Sequence, residues 1–117
     1  FFWDQSFIYL ILEHASGGDL LRALESQPKG CFKDDDAAFL ISQAVSAVQY
    51  CHRMHVIHRD LKPQNFLLSK GLHLKLADFG WAVHSIPGER RWTLCGTLDY
   101  LSPEMVSGVG HNSGIDL

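Results

Sequence analysis

Apolar residues in this chain fall into short runs separated by polar turns, with one longer stretch in which they recur every three to four positions. The run Phe7-Ile8-Tyr9-Leu10-Ile11-Leu12-Glu13 is rich in strand formers and stops at Ser16-Gly17-Gly18, which predicts a buried strand leading into a flexible turn. From Asp34 to about Arg53, the residues Ala37, Leu40, Ile41, Ala44, Val45 and Val48 repeat at helical spacing. Three aspartates occupy the first turn of that stretch, where the helix dipole favours them. The pattern predicts a core-facing amphipathic helix whose apolar stripe is structural. Val56-Ile57, Phe66-Leu67-Leu68 and Leu72 to Ala77 read as short strands, with Lys70-Gly71 as a tight turn between the last two. The polar segment between Ile57 and Phe66 is therefore a loop pinned between strands, a placement that lets side chains reach a ligand while the flanks fix their geometry. There is no internal repeat, low-complexity tract or linker.

Size and charge narrow the field. With 117 residues, 46% of them apolar, the chain can bury one modest core and reads as one domain or a piece of one. A formal net charge of −3 gives no polybasic surface for nucleic acid or an anionic membrane. No apolar run approaches the roughly 18 residues of a membrane span. Phe1 is not an initiator Met, and the run from Phe7 to Leu12 is too short for a signal sequence and lacks a basic flank. Three scattered cysteines, an odd number, read as reduced thiols of a cytosolic or nuclear protein.

The chemistry lies in three spaced elements. His58-Arg59-Asp60-Leu61-Lys62-Pro63-Gln64-Asn65 is followed by Asp78-Phe79-Gly80 and then by Ser102-Pro103-Glu104. An Asp and an Asn at this interval also serve small-molecule phosphotransferases, but the two later elements in this order resemble the metal loop and the end of the activation segment of a protein kinase. Phosphoryl transfer asks little covalent chemistry of a protein: a hydroxyl must be oriented and the charge spreading over the phosphoryl oxygens neutralised. The resemblance implies that Asp60 accepts the substrate hydroxyl proton and that Lys62 places a compact positive charge beside the phosphoryl group, as in serine/threonine kinases. It implies that Asn65 and Asp78 are oxygen ligands of Mg²⁺, a hard cation that prefers such donors, and that ATP is the second cofactor. The expected fold is α+β and protein-kinase-like, partial: a hinge strand plus most of the helical lower-lobe core, with the small lobe largely missing.

That resemblance divides residues 1–117 into a hinge strand and hinge at 1–19, a supporting helix at 34–53, the catalytic loop at 58–65 and the activation segment at 78–104. It makes Leu12 the side chain at the back of the adenine pocket, has Glu13 and Ala15 offer backbone groups to the adenine edge, and puts the Asp19 carboxylate within reach of the ribose. Leu67 forms the floor under the adenine, and Gln64 joins the nucleotide-binding set. His58 packs beneath the metal loop.

Asp78-Phe79-Gly80-Trp81-Ala82-Val83-His84, followed by Arg90-Arg91-Trp92-Thr93-Leu94-Cys95-Gly96-Thr97-Leu98-Asp99-Tyr100, is similar to the activation segment of Aurora kinases. Ile115-Asp116-Leu117 looks like the start of the large buried helix of the lower lobe. Three positions depart from the pattern: Gln64 stands where Glu is usual, Phe66 where a smaller aliphatic is usual, and Trp92 where a hydroxyl residue precedes the threonine. None removes a catalytic oxygen or charge. Thr93, with arginines two and three residues before it, sits in a basic context of its own. Once phosphorylated it would carry nearly two negative charges, for which Arg59 is the expected counter-ion. Thr97 is expected against Asp60 and Lys62, beside the acceptor residue. Aurora membership implies protein substrates with Arg before the acceptor Ser or Thr, an activating partner on the small lobe, and work at the chromosomes, spindle and centrosome, in nucleus and cytoplasm.

Other readings compete. Cys51, His52, His55 and His58 lie close enough in sequence to suggest zinc, yet no second cysteine pair accompanies them and the helix is expected to end among them, so ordinary helix-end residues are the preferred reading. His14 and His73 carry no partner signal. The chain holds no glycine-rich phosphate loop and no strand lysine of the kinase type, so the isolated span is expected to turn over ATP near background. A catalytically silent fragment or scaffold, and a basophilic kinase outside the Aurora group, stay open.

Overall fold

The structure, a computed structural model, describes residues 1–86 and 88–117. Helix α2, Asp34–Arg53, is its longest element. Asp34, Asp35 and Asp36 fill its first turn and His52 and Arg53 its last, so charges complement the dipole at both ends. Leu40, Val48 and Cys51 of α2 are buried. They share a core with Ile57, Phe66 and Leu68, contributed by the strands β3 (Val56–Ile57) and β4 (Phe66–Ser69). The stripe is narrower than the periodicity predicts, because Ile41 and Val45 are exposed at 63% and 47%. Both line an open depression with Ala44, Leu61, Phe66 and Leu117, so that side of the helix is only partly covered.

Strand β4 pairs antiparallel with β5 (His73–Leu76), joined through a turn in which Gly71 and Leu72 both take positive φ. Gln43 of α2 braces this turn: its amide nitrogen donates to the Leu72 carbonyl at 3.0 Å and its amide oxygen accepts from Leu74 N–H at 3.0 Å. Strand β3 pairs antiparallel with β6 (Val83–His84), a strand too short to show in the sequence pattern. The loop from His58 to Asn65 is thus held between β3 and β4, and the segment after Asp78 returns to β3 through β6. Short helix α1, Leu20–Glu25, and a one-turn helix α3, Pro103–Val106, complete the regular structure together with 3-10 turns.

The N-terminal segment corrects the sequence reading. Strands β1 (Phe2–Trp3) and β2 (Ile8–Tyr9) form only a two-residue hairpin ladder, and Leu10, Ile11 and Leu12 run on as exposed chain. The expected buried strand over 7–13 needs neighbours on both edges and faces, and within this chain the hairpin has only itself. Beyond it, Gly17 and Gly18 exchange backbone hydrogen bonds with Leu68, N–H to carbonyl at 2.7 and 2.8 Å, which ties the segment after the hairpin to β4. Gly17 needs its missing side chain here, since a Cβ would come within 2.8 Å of the Leu68 carbonyl oxygen. No helix among the described residues is long and apolar enough to cross a membrane.

Candidate active site

Asp60 is the centre of a closed hydrogen-bond ring. Thr97 Oγ1 donates to its Oδ1 at 2.7 Å, while Lys62 Nζ and Asn65 Nδ2 donate to its Oδ2 at 2.9 and 3.1 Å. Lys62 closes the ring by donating to Thr97 Oγ1 at 2.6 Å, and Asn65 Nδ2 also reaches the Asp60 carbonyl at 2.8 Å. Burial works to raise the Asp60 pKa, but the hydrogen bonds from Lys62, Thr97 and Asn65 and the Lys62 charge outweigh it, so the carboxyl sits below its ordinary value. The group is therefore held as an oriented, buried carboxylate.

The loop carrying Asp60 is fixed from beneath by a residue that the sequence reading placed only as part of a helix start. Asp116 is buried; its Oδ2 accepts from His58 N–H at 2.8 Å and its Oδ1 from Arg59 N–H at 2.8 Å. His52 supports the same carboxylate, with Nε2 at 2.9 Å from Oδ2. These contacts hold Arg59 at φ 68°, a backbone region that costs a non-glycine residue roughly 1–3 kcal/mol. No local pattern could reveal Asp116 or His52, because 64 positions separate them. The only hint was an acidic residue inside an otherwise apolar-flanked terminal motif.

His58 links this loop to the next element. Its ring is fully buried, with Nε2 donating to the Ala77 carbonyl at 3.0 Å and Nδ1 accepting from Asp60 N–H at 3.3 Å, an arrangement that sets the proton on Nε2. The Phe79 ring packs edge-on against it at 4.9 Å between centroids. Asp78, the residue between those contacts, adopts a left-handed conformation at φ 58° and ψ 73°, and its Oδ1 accepts from Gly80 N–H at 3.2 Å. Of the four residues that sequence spacing grouped as a possible zinc set, Cys51 is buried within α2, His52 turns to Asp116, His55 faces His84 and His58 turns to Ala77.

Residues 95–97 dock closely on the same loop. Gly96, at φ 94°, lies so near that a Cβ there would be 2.6 Å from the Arg59 carbonyl oxygen. Only glycine fits both the backbone angle and the gap. This contact carries Thr97 into the ring around Asp60, and Cys95 is buried beside it, where burial pushes its thiol pKa up.

A cavity of about 700 Å³ opens beside this machinery, a volume in the range of small-molecule sites. Leu12, Glu13, Ala15, Leu67 and Asp78 all line it, as do Lys75 and Phe79. Asp60 and Asn65 do not. Lys75 was not singled out by sequence, and its Nζ lies 3.0 Å from Glu13 Oε2 in an exposed ion pair of little energetic weight. Asp19 is not among the lining residues: its carboxylate caps α1, accepting from Arg22 N–H at 2.9 Å. Gln64 is exposed on the 3-10 turn Pro63–Asn65 and also lies off the lining. Thr93 is exposed, and Arg59 Nε donates to the Trp81 carbonyl at 2.8 Å.

Both nitrogen-bound hydrogens' worth of contact that Asn65 makes go to Asp60, which leaves its amide oxygen for a cation, and the Asp78 carboxylate has one oxygen beyond the bond to Gly80. Two hard oxygen donors of this kind suit Mg²⁺ completed by waters and phosphates.

The comparisons with known proteins agree with this geometry. The protein kinase domain family matches residues 1–117. Over all 117 residues the chain is 50% identical to an Aurora kinase of Patiria pectinifera and 51% to Aurora kinase A-A of Xenopus laevis, covering 28% of each. It is 50% identical to Aurora kinase B of Mus musculus, of which it covers 33%. The chain thus spans about a third or less of the length of these curated relatives. A buried Asp60 ringed by Lys62, Asn65 and Thr97, beside a cleft lined by Asp78, sits in a sequence matched along its whole length, and the chain belongs to the protein kinase family, as an Aurora-type serine/threonine member.

Proposed function

We propose that this chain supplies the catalytic loop, metal loop and activation segment for transfer of the ATP γ-phosphoryl group to Ser or Thr hydroxyls of proteins. The observation that carries the reading is the orientation of the Asp60 carboxylate by three donors. Held ionised and buried, Asp60 accepts the proton of the attacking hydroxyl. Lys62, already bonded to Asp60, offsets negative charge on the phosphoryl oxygens. Asn65 and Asp78 are the residues that would hold Mg²⁺, which would supply positive charge to neutralise the nucleotide phosphates. Leu67 and Leu12 would receive the adenine within the cavity, with Glu13 and Ala15 at its edge. The same reading assigns residues 1–19 to the hinge strand and hinge, 34–53 to the supporting helix, 58–65 to the catalytic loop and 78–104 to the activation segment. Substrates with Arg before the acceptor, an activating partner protein, and action at the dividing chromosomes, spindle and centrosome follow from Aurora-type membership as part of the proposal.

Regulation belongs to the same reading: phosphate on Thr93 pairs with Arg59 and orders the activation segment. Exchange of this chain for the matched region of the mouse Aurora kinase B tests the whole. The chimera is expected to phosphorylate an Arg-containing peptide, and Asp60→Asn is expected to lower that rate about 100-fold or more. Thr93→Ala and Arg59→Ala are each expected to lower it, and the double variant to be little worse than either, since both remove one shared contact. A well-folded chimera that binds nucleotide without turnover would instead support a silent scaffold.

A further inference from the structure

Residues 90–92 are fastened to residues 110–111 at several points. Arg91 and His111 exchange both backbone hydrogen bonds, each at 2.8 Å, as an antiparallel bridge, and His111 is buried. Arg90 Nη1 donates to the Gly110 carbonyl at 3.1 Å. Arg91 Nη2 donates to the His84 carbonyl at 2.8 Å and to Glu89 Oε2 at 3.0 Å.

The remaining contact joins Trp92 to Gly110. Alternate residues of extended chain share a face, and Arg90 and Trp92 together flank Gly110. A Cβ on Gly110 would lie 2.9 and 3.1 Å from two atoms of the Trp92 indole and 3.1 Å from Arg90 Cδ. Gly110 does not take positive φ, so its backbone angle would accept a side chain and only this contact demands glycine. Trp92 is also a position at which the chain departs from the Aurora pattern, a large ring standing where a hydroxyl residue is usual. The departure and the missing side chain fit each other, since the ring takes the room that a Cβ would need. Because Trp92 keeps 71% of its surface exposed, the contact is shallow and can open.

We propose that Trp92 and Gly110 form a latch that keeps residues 90–92 docked on residues 110–111 while Thr93 is unmodified. Gly96 and Thr97 hold the chain again on the loop from His58 to Asn65, so Thr93 and Leu94, both exposed, span two fixed points. The stretch is then ordered at both ends before any phosphate is added, with Glu89 already serving Arg91 as an acceptor. Only the regulatory meaning of the latch rests on the reading of residues 78–104 as an activation segment. On that reading, activity depends less on Thr93 phosphorylation than it would with a hydroxyl residue at position 92.

The test follows amide hydrogen exchange at Arg91 and His111 in the whole chain, with Thr93 shown to be unmodified by mass spectrometry, and it needs no turnover. Both amides are expected to be protected. Trp92→Thr and Gly110→Ala are each expected to speed their exchange about tenfold or more, with the Leu68 amide, bonded to the Gly18 carbonyl, unchanged. In the double variant the ring is gone and the flexible Arg90 stem can yield to the new methyl group. Adding Gly110→Ala to Trp92→Thr is therefore expected to change exchange by less than about twofold, whereas unrelated damage would multiply. Unprotected amides in the parent chain, a Trp92→Thr chain that exchanges like the parent, or single effects that multiply in the double variant would overturn the latch. In the chimera with mouse Aurora kinase B, the rate lost on Thr93→Ala is expected to be at least about threefold greater with Trp92→Thr than with Trp92 in place. Equal losses in the two backgrounds overturn the regulatory meaning. A chimera without turnover counts against the kinase reading, while the exchange result still decides the latch.

Discussion

The loop from His58 to Asn65 and the hairpin at residues 1–12 have similar lengths and opposite fates. The loop has no regular structure beyond one 3-10 turn, yet His58, Asp60 and Asn65 are buried and every one of them is hydrogen-bonded. The hairpin is rich in strand formers on both sides of its Asp4-Gln5-Ser6 turn and is exposed along its length, from Phe1 at 84% to Leu12 at 79%. Propensity does not decide order here. Order follows from partners elsewhere in the chain: Asp116, Thr97 and Ala77 reach the loop from three directions, whereas the hairpin meets only its own second strand.

The largest expected effect strips the loop of its support. Asp116→Ala would leave the buried N–H groups of His58 and Arg59 without an acceptor, and hydrogen bonds to a charged group are worth about 1.5–3 kcal/mol each. Amide hydrogen exchange at those two positions should accelerate by at least 100-fold, with hairpin amides unchanged. Equal acceleration in both regions would mean that they unfold as one unit.

Gly96→Val comes next. Its side chain would collide with the Arg59 carbonyl oxygen and would force a β-branched residue to positive φ, a combined cost of roughly 2–3 kcal/mol. The segment around Gly96 should lift from the loop, seen as rapid labelling of the buried Cys95 thiol, while α2 stays helical by circular dichroism. Unaltered Cys95 protection would show that the close approach is not needed for docking.

Thr97→Val removes one donor to Asp60 and one acceptor of Lys62, a change of about 1 kcal/mol. Because the folded Asp60 pKa is depressed, its contribution is complete above the unfolded value and is lost as pH falls through the folded one. With one lowering hydrogen bond gone, the folded titration midpoint should move to higher pH and the smaller contribution should be fully lost sooner as pH falls. Carboxyl carbon-13 titration of Asp60 in the two proteins measures it, and coincident curves would contradict the ring as described.

Ile11→Ser is the control on the other side of the comparison. Ile11 is 80% exposed, so the substitution should shift loop exchange by less than about 0.5 kcal/mol. An effect comparable to that of Asp116→Ala would mean that the hairpin is coupled to the loop from His58 to Asn65 after all.

Much of the architecture was legible without coordinates. The helix over 34–53 follows from the spacing of Leu40, Ala44 and Val48 and from the aspartates at its start, both local signals. Motif spacing singled out Asp60, Lys62, Asn65 and Asp78, and the structure brings Lys62 and Asn65 onto the Asp60 carboxylate and puts Asp78 on the cavity wall. What local pattern could not supply was coverage and long-range pairing. Ile41 and Val45 share the helical period with Leu40 and are nevertheless exposed. The periodicity of a helix marks which face can be buried, and only the neighbouring elements determine how much of it is.

The sequence by itself thus determined the long helix and the short strands that flank the loop from His58 to Asn65, and it singled out Asp60, Lys62, Asn65 and Asp78 as candidates, since all of these depend on residue types within a few positions. Tertiary structure alone decided that Asp116 and His52 anchor the loop from His58 to Asn65, that Gly96 seats its segment against that loop, that Asp19 caps a helix, and that His111 lies buried against Arg91 with a nitrogen unsatisfied. Each of these depends on atoms brought together across tens of residues, and the free energy of a buried hydrogen bond or a steric gap is set by that meeting, not by the residue's own preference.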